Sequence, residues 1–415
     1  MVQLSNPSPR LFLSAGEASG DHYGAEILAE MRSRFPALTA FGLGGKDMET
    51  QGLDRIVRAE DVAVLGITEV IRHMPHIYGE YRKLVASIKA RKPDLAILID
   101  FPDVNLRLAK VLKSLDIPVV YFVSPQLWAW KRSRLKWVQE RVKKMLVIFP
   151  FEEPFYRHRN VDAEFVGHPL AVLEIPSISR ENFAAKYHLN PTKQWISLLP
   201  GSRRKEVHLN LPEMLKAATL LHRDQDYEFI FPVASTLNFD CMWKEIKEFA
   251  YAEKASVTRV HEAREALLHS RASIVASGTA TVQAAVIGNP FIVVYHVSNL
   301  TFTLAKRLVR YPAEIPAPLD AQGNLPIGMV NLIAGKRIIP ELLQDQFTAL
   351  NLIAALKPLL EDTPERATML TNLAEVRSRL LPSSVSTPIQ RVCDTVQSLL
   401  DARNASSAAI PSASV

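Results

Sequence analysis

Four short stretches of this sequence hold residues of the kind that activate a hydroxyl group or hold an anion. The first is Asp100-Phe-Pro-Asp103-Val-Asn105. A carboxylate here can take the proton of an attacking alcohol, a service worth about 10²–10⁴-fold in rate. Asp103 is the expected general base, because Pro102 stiffens the loop that presents it. Asp100 is the competing candidate, but it lies closer to the apolar run Leu95–Ile99, where a buried structural place is the stronger expectation. The second stretch is Gly201-Ser-Arg203-Arg-Lys205, which follows an apolar run and Pro200. Gly201 lets a ligand approach the backbone, and Ser202 can cap a helix. Free N–H groups at that helix start favour an anion, and the planar fork of Arg203 can bond two diphosphate oxygens. Taken alone, the stretch describes an ordinary strand-to-helix turn with solvated basic residues equally well. The third, Ser277-Gly278-Thr279-Ala280-Thr281 with Gln283, is another small-residue turn opening a helix, again suited to phosphate. The fourth is Gly16-Glu17-Ala-Ser19-Gly-Asp21. Its glycines allow close approach and Ser19 can cap a helix, whereas Glu17 and Asp21 argue against phosphate and for sugar hydroxyls or an amine.

Each stretch sits where an apolar run ends and a helical period begins. Strands are expected at Arg10–Ala15 and at residues 39–45, 95–99, 117–123, 143–148 and 163–166. A second series is expected at 195–199, 228–233, 256–260, 272–276 and 291–295. Fully apolar strands alternating with helices predict doubly wound parallel sheets, which bind ligands at the carboxyl ends of their strands. The G-x-G-x-x-G dinucleotide spacing is absent after the first strand. Residues 349–402 have helical apolar spacing, broken at Pro358, Pro364, Pro382 and Pro388. The expected division is 1–175, 190–348, a helical block 349–403 and a frayed Ser/Ala-rich tail 404–415.

Composition narrows the class. A chain of 415 residues exceeds one typical core and suits two or three domains. Cys241 and Cys393 form no disulfide or metal pattern, which points to a reducing compartment. The histidines lack ligand spacing, so no metal site is expected. A net charge of +6 suits an anionic partner, a nucleotide or a phospholipid surface. Nucleic acid is disfavoured, since no binding motif or aromatic-basic pattern occurs. The apolar run at residues 11–15 is far too short for a signal peptide or a membrane span. Residues 61–75 are unusual: Val64, Ile67, Val70, Ile71 and Met74 supply more apolar surface than one core face needs, beside Arg72, His73, Arg82 and Lys83. Such a run is either a core helix or an interfacial helix that dips into lipid. Trp128 and Trp130, in the loop after the 117–123 strand, either pack between domains or stand against a sugar or an acyl chain.

Together these segments resemble the lipid A disaccharide synthases, a family of bacterial glycosyltransferases, from about residue 10 to 397. Ala15-Gly-Glu-Ala-Ser-Gly-Asp21 is similar to the family's opening motif. Asp94 with Asp100-Phe-Pro-Asp103-Val-Asn105, Ser124-Pro-Gln-Leu-Trp-Ala-Trp130, Phe149-Pro-Phe-Glu152, Gly167-His168, Leu199-Pro-Gly-Ser-Arg203 with Glu206, and Ser277-Gly-Thr-Ala-Thr281 follow in family order. The resemblance implies the GT-B architecture: two facing Rossmann-like doubly wound domains, an active site in the cleft and C-terminal helices crossing back. It implies inverting transfer from UDP-2,3-diacylglucosamine to 2,3-diacylglucosamine 1-phosphate with release of UDP, needing neither metal nor cofactor. The donor side would comprise Gly201, Ser202, Arg203, Glu206, Ser277, Gly278, Thr279, Ala280, Thr281, Gln283 and Asn331. The acceptor side would comprise Gly16, Glu17, Ser19, Asp21, Asn105, Gln126 and Trp128. The family often has an acidic residue where this chain has Gln283, which implies recognition of the ribose by an amide. Acyl-bearing substrates imply a cytoplasmic protein held peripherally at the inner membrane, and the family also allows a homodimer. Two other readings stay open: a nucleotide-sugar epimerase on the same scaffold, and a nucleotide-sugar binding protein without catalysis.

Overall fold

The computed structural model describes residues 8–62, 67–224, 227–233, 257–382 and 385–408, together with 244, 247 and 248. Its strands are short apolar runs shielded on both faces, as parallel sheets covered by helices require. In β1 (Arg10–Ala15) and β4 (Leu95–Ile99) every residue but Arg10 is buried. They lie side by side in a sheet with β2 (Thr39–Gly44), β3 (Asp54–Arg58), β5 (Val119–Phe122), β6 (Lys144–Val147) and β7 (Ala163–Phe165). The order is β3-β2-β1-β4-β5-β6-β7, with every pairing parallel. The second sheet is built from β8 (Gln194–Leu199), β9 (Tyr227–Pro232), β10 (Val257–Val260), β11 (Ala272–Ala276), β12 (Phe291–Tyr295) and β13 (Glu341–Leu343). Its order is β10-β9-β8-β11-β12-β13, again wholly parallel. Each order reverses once, between β1 and β4 in the first sheet and between β8 and β11 in the second. Outside the carboxyl ends of such a pair no crossover helix fills the crevice, and open α/β sheets bind their ligands there.

The edge strands β3 and β13 lie outside the expected set. β3 is short and largely polar, as exposed sheet edges tend to be, whereas β13 is buried but only three residues long, so neither shows a long apolar run. In β3, Arg55 packs its side chain inward and answers Glu49 and Glu60 with its guanidinium.

The chain forms two compact units, Met1–Val172 with Leu381–Val415, and Leu173–Leu380. The expected C-terminal block is therefore divided. Ala349–Leu360 and Pro364–Arg379 belong to the second unit, and the helix Pro388–Ala408 belongs to the first. Val392, Cys393, Val396 and Leu400 join a core with Ile27, Leu28 and Met31 of the helix Ala18–Arg34. Arg34 pairs with Asp394 at 2.7 Å, and Arg403 donates to the carbonyl of Asp94 at 2.8 Å. Residues 404–408, expected to fray, continue this helix, and 409–415 lie outside the described residues.

A helix with an internal Pro75 occupies Ile67–Arg91. Val64 and the side chains of Ile67, Val70, Ile71 and Met74 lie outside the described residues. Among the described residues, no helix is long and apolar enough to cross a membrane.

Candidate functional site

In the first unit, Ala15 pairs with Ile99, so Gly16 and Asp100 leave the sheet as neighbours at its switch point. Two stretches far apart in sequence thus meet there. The turn after β4 is strained: Asp100 and Phe101 take φ of 46° and 47° without being glycine. Such residues cost on the order of 1–3 kcal/mol each and persist only where surroundings fix them. Asn105 does much of the fixing. Wholly buried, it offers its amide N–H groups to the carbonyls of Asp100 at 2.8 Å, Ile99 at 3.1 Å and Ser14 at 3.2 Å. Its Oδ1 accepts from the Ser14 hydroxyl at 2.6 Å. The buried Tyr121 hydroxyl donates to the Asp100 carbonyl at 2.5 Å. Asn105, expected on the acceptor side, is committed to the turn and positions Asp100.

Asp100 itself is half-buried. Burial, and secondly the charge of Glu17, push its carboxyl up to about 7, against the hydrogen bond from the Phe101 backbone. Glu17 is exposed at the N-cap of the helix Ala18–Arg34, with no capping bond from its side chain. Ser19 stands inside that helix and is not its cap. Asp21 is buried, and its carboxylate accepts from the N–H groups of Gly45 at 2.7 Å, Asp47 at 3.0 Å and Met48 at 3.2 Å. It holds the loop after β2, which leaves Gly16 and Glu17 as the parts of this motif turned to the switch point. Asp103 lies in the first turn of the helix Pro102–Ser114, largely exposed, and pairs with Arg134.

Trp128, expected either between domains or against a sugar or an acyl chain, is buried. An indole N–H in a core needs an acceptor. Here it is Glu152, which also takes the Ser124 hydroxyl at 2.7 Å and the Phe149 N–H at 3.1 Å. Burial pushes the Glu152 carboxyl up to about 7. This carboxylate ties together the loops that follow β5 and β6. Trp130 and Gln126 are the exposed members of the loop, Trp130 with the Lys131 ammonium 4.2 Å from its ring centre. His168 is buried against Phe149, its Nδ1 accepting the Leu170 N–H at 3.1 Å. Burial pushes this imidazole down to about 4, so it is neutral at pH 7.

In the second unit, Leu199 pairs with Val275. The basic turn after β8 and the small-residue turn after β11 therefore emerge side by side, again at the switch point. Gly201 takes φ of 132°, and a Cβ on it would stand 2.5 Å from the Glu206 side chain. Glu206 reaches back over the turn. Its Oε2 accepts from the N–H groups of Ser202 at 3.0 Å and Arg203 at 3.3 Å, and its Oε1 lies 3.5 Å from the Arg203 guanidinium. The N–H groups of Ser202 and Arg203, expected to be free for an anion at this turn, are thus taken by the chain's own carboxylate. Asn210, buried, donates to the Pro200 carbonyl at 2.7 Å and fixes the turn from behind. Arg203 remains exposed in front.

The turn after β11 is open. Gly278 is the N-cap of the helix Thr279–Ile287, and no atom lies within 4 Å of where its Cβ would be. Gly278 and Thr279 are exposed, Ser277, Ala280 and Gln283 half-buried. At such a helix start the N–H groups of Thr279 and Ala280 have no intrahelical partner, whereas that of Thr281 donates to the Gly278 carbonyl at 3.1 Å. Thr281 is buried, its hydroxyl given to the Gly278 carbonyl at 2.7 Å. Asn331 is also buried and fully engaged. It accepts from the N–H groups of Ile338 and Ile339 and donates to the Ile339 carbonyl and to Glu341. Glu341 in turn accepts from Ile327, Gly328 and Arg337. Asn331 thus shapes the segment beside the site and has no hydrogen-bonding capacity left for a ligand.

Two wholly parallel α/β units, one with a strained carboxylate turn at its switch point and the other with an Arg203 turn beside an open helix start, make up the GT-B glycosyltransferase architecture. A Staphylococcus aureus structure described as a MnaA–UDP co-structure superposes with a TM-score of 0.60 at 12% identity, over 95% of this chain and 97% of that one. The calicheamicin glycosyltransferase CalG4 gives 0.58 at 14% identity, over 95% and 99%. Sequence goes further. The family model described as lipid-A-disaccharide synthetase matches residues 11–386. The lipid-A-disaccharide synthase of Acidobacterium capsulatum is 50% identical over 408 residues, covering 96% of this chain and 98% of its own. The chain belongs to the lipid-A-disaccharide synthetase family.

Proposed function

We propose that the protein transfers a 2,3-diacylglucosamine unit from UDP to the primary hydroxyl of 2,3-diacylglucosamine 1-phosphate, with inversion at the anomeric carbon. The observation that carries this reading is the pairing of the Arg203 turn with the open Gly278 turn at the second switch point. The donor's diphosphate is assigned to the start of the helix Thr279–Ile287, where backbone N–H groups and the helix dipole favour negative charge. Arg203 supplies the charge-assisted clamp as the leaving group gains charge. Gln283 is assigned to the ribose.

The acceptor's hydroxyl is assigned to the first switch point. Its oxygen bonds to the anomeric carbon, the carbon–oxygen bond to the diphosphate breaks with its electron pair leaving on UDP, and a carboxylate takes the hydroxyl proton. Asp100 fits this service better than the expected Asp103. Its carboxyl titrates near neutral pH, and the Asn105 and Tyr121 bonds hold its backbone at one place, whereas Asp103 is largely exposed and already bonded to Arg134. Contact with the inner-membrane surface through Val64, Ile67, Val70, Ile71 and Met74 completes the reading, because both substrates carry acyl chains.

The test is incubation with labelled UDP-2,3-diacylglucosamine, with and without the acceptor. UDP release that depends on the acceptor, with a disaccharide product, supports transfer. Epimerisation or UDP release without acceptor would replace transfer with the epimerase reading, and binding without turnover would leave a nucleotide-sugar binding protein.

A further inference from the structure

We propose that the second unit carries a lipid-surface contact of its own, the outward face of the helix Asn299–Leu308, and that its occupant is an anionic phospholipid bilayer. The proposal rests on the reading of the substrates as membrane lipids and adds a surface that this reading does not assign.

The helix is tied down at its N-terminal end. Ser298 caps it by accepting the Thr301 N–H, and Gln344 clasps the preceding turn through both the N–H and the carbonyl of Val297 at 2.8 Å. Phe302 and Ala305 are the half-buried residues on its inner side. At 100° per residue, Thr303, Leu304, Arg307 and Leu308 fall together on the opposite side. That side is where a solvated helix would carry polar residues. Here Leu304 is 48% exposed and Leu308 66% exposed. These leucines lie one turn apart, so they form a single apolar strip with Arg307 beside it.

Along the chain, the charge at the strip is of one sign as far as Glu314. Lys306, Arg307 and Arg310 lie in or next to the helix, and no acidic residue occurs from position 295 to 313. A second copy of this chain seated symmetrically on the strip would oppose Arg307 to Arg307, which like charges disfavour. An anionic bilayer meets both demands at once. The leucines enter the acyl boundary, and the basic groups stay at the phosphates on their flexible stems. Stable peripheral attachment takes more than one weak signal, and this helix supplies one separate from the segment containing Val70, Ile71 and Met74.

The experiment uses the full chain and flotation with vesicles of phosphatidylglycerol and phosphatidylethanolamine, against vesicles of phosphatidylcholine alone. Leu304→Ser/Leu308→Ser should weaken binding to the anionic vesicles by roughly tenfold or more. It should do so both in the native background and in Val70→Ser/Ile71→Ser/Met74→Ser. Lys306→Gln/Arg307→Gln should also weaken binding and flatten its salt dependence, and it tests the same surface should the leucine variant fail to fold. Acceptor-dependent UDP release from detergent-dispersed substrates should be unchanged in both helix variants, which separates this proposal from the transferase reading. Unchanged vesicle binding in both helix variants would overturn it. So would a change of oligomeric state in Leu304→Ser/Leu308→Ser with vesicle binding intact, which would assign the strip to a second copy.

Discussion

Gly16 faces the ring of Phe101 so closely that a Cβ on Gly16 would stand 2.5 Å from the ring's Cδ1. The ring has little freedom to retreat, because Phe101 is held at φ 47° between Asp100 and a helix that begins with Pro102. We predict that Gly16→Ala costs about 1–3 kcal/mol in overpacking and displaces the turn that presents Asp100. Turnover should fall by roughly 10²-fold, since misplacement by about 1 Å is enough for that. Steady-state kinetics beside a urea melt give both figures; wild-type turnover in a destabilised Gly16→Ala would detach this turn from the chemistry.

Asp100→Asn keeps the shape of the side chain and removes the base. Turnover is expected to drop by about 10²–10⁴-fold with UDP affinity retained, while Asp103→Asn keeps turnover within a few-fold. Loss in Asp103→Asn with an active Asp100→Asn would return the base to Asp103. In the native enzyme the rate should rise with pH and level off above about 7, as Asp100 loses its proton.

The same group makes a prediction about stability with a definite sign. The folded-state pKa of Asp100 is raised from 3.8 to about 7, so folding favours its protonated form. That contribution is fully present below the unfolded value and is lost as pH rises through about 7. Asp100→Asn should therefore gain stability relative to the native protein between pH 5 and 8 in paired denaturant titrations. An equal difference at both pH values would mean that Asp100 is not the raised group.

Arg203→Ala should weaken donor use far more than folding. Its guanidinium is exposed and its one described bond, to Glu206, is long. Losing a charge-assisted contact to the diphosphate should cost on the order of 1.5–3 kcal/mol. Calorimetric titration with UDP reads this directly, and unchanged UDP affinity would remove the leaving group from this turn.

Glu341→Ala should be among the most destabilising single changes in the second unit. Its side chain is wholly buried and accepts from Ile327, Gly328, Asn331 and Arg337. Deleting it strands these donors and an arginine charge, at a cost of roughly 3–5 kcal/mol. A fall in the denaturant midpoint of the size expected for a surface substitution would show the network to be dispensable.

Much of the scaffold can be read from the chain because buried parallel strands announce themselves. Leu95–Ile99 and Ala272–Ala276 are unbroken apolar runs ending in the turns that carry chemistry. The edge strands β3 and β13 make no such signal, the first being largely polar and the second only three residues long. Within the candidate site, residue type pointed to loops that the fold brings together at the two switch points, but not to the division of labour inside them. Asn105, Asp21 and Asn331 have the side chains of ligand-binding residues, yet each spends its hydrogen bonds inside the protein, mostly on backbone, and only coordinates show where an amide or carboxylate is aimed. Glu206 is the sharpest case. The family resemblance placed it on the donor side, whereas it occupies the N–H groups that an anion would have used. Asn210, Tyr121 and Arg134 had no signal in sequence, since each reaches its partner across ten or more residues.

The helix Pro388–Ala408 supplies part of the core around Ile27 and Met31, so the first unit is assembled from both ends of the chain. A ribosome making this protein exposes the apolar face of the helix Ala18–Arg34 hundreds of residues before the segment that covers it. The unit encoded in the middle, with all of its strands contiguous, can close first. Synthesis thus inverts the order of the gene: the half that begins the polypeptide is the last to become a finished structure, and a transcript cut short near its end yields a complete second unit attached to an uncovered first one.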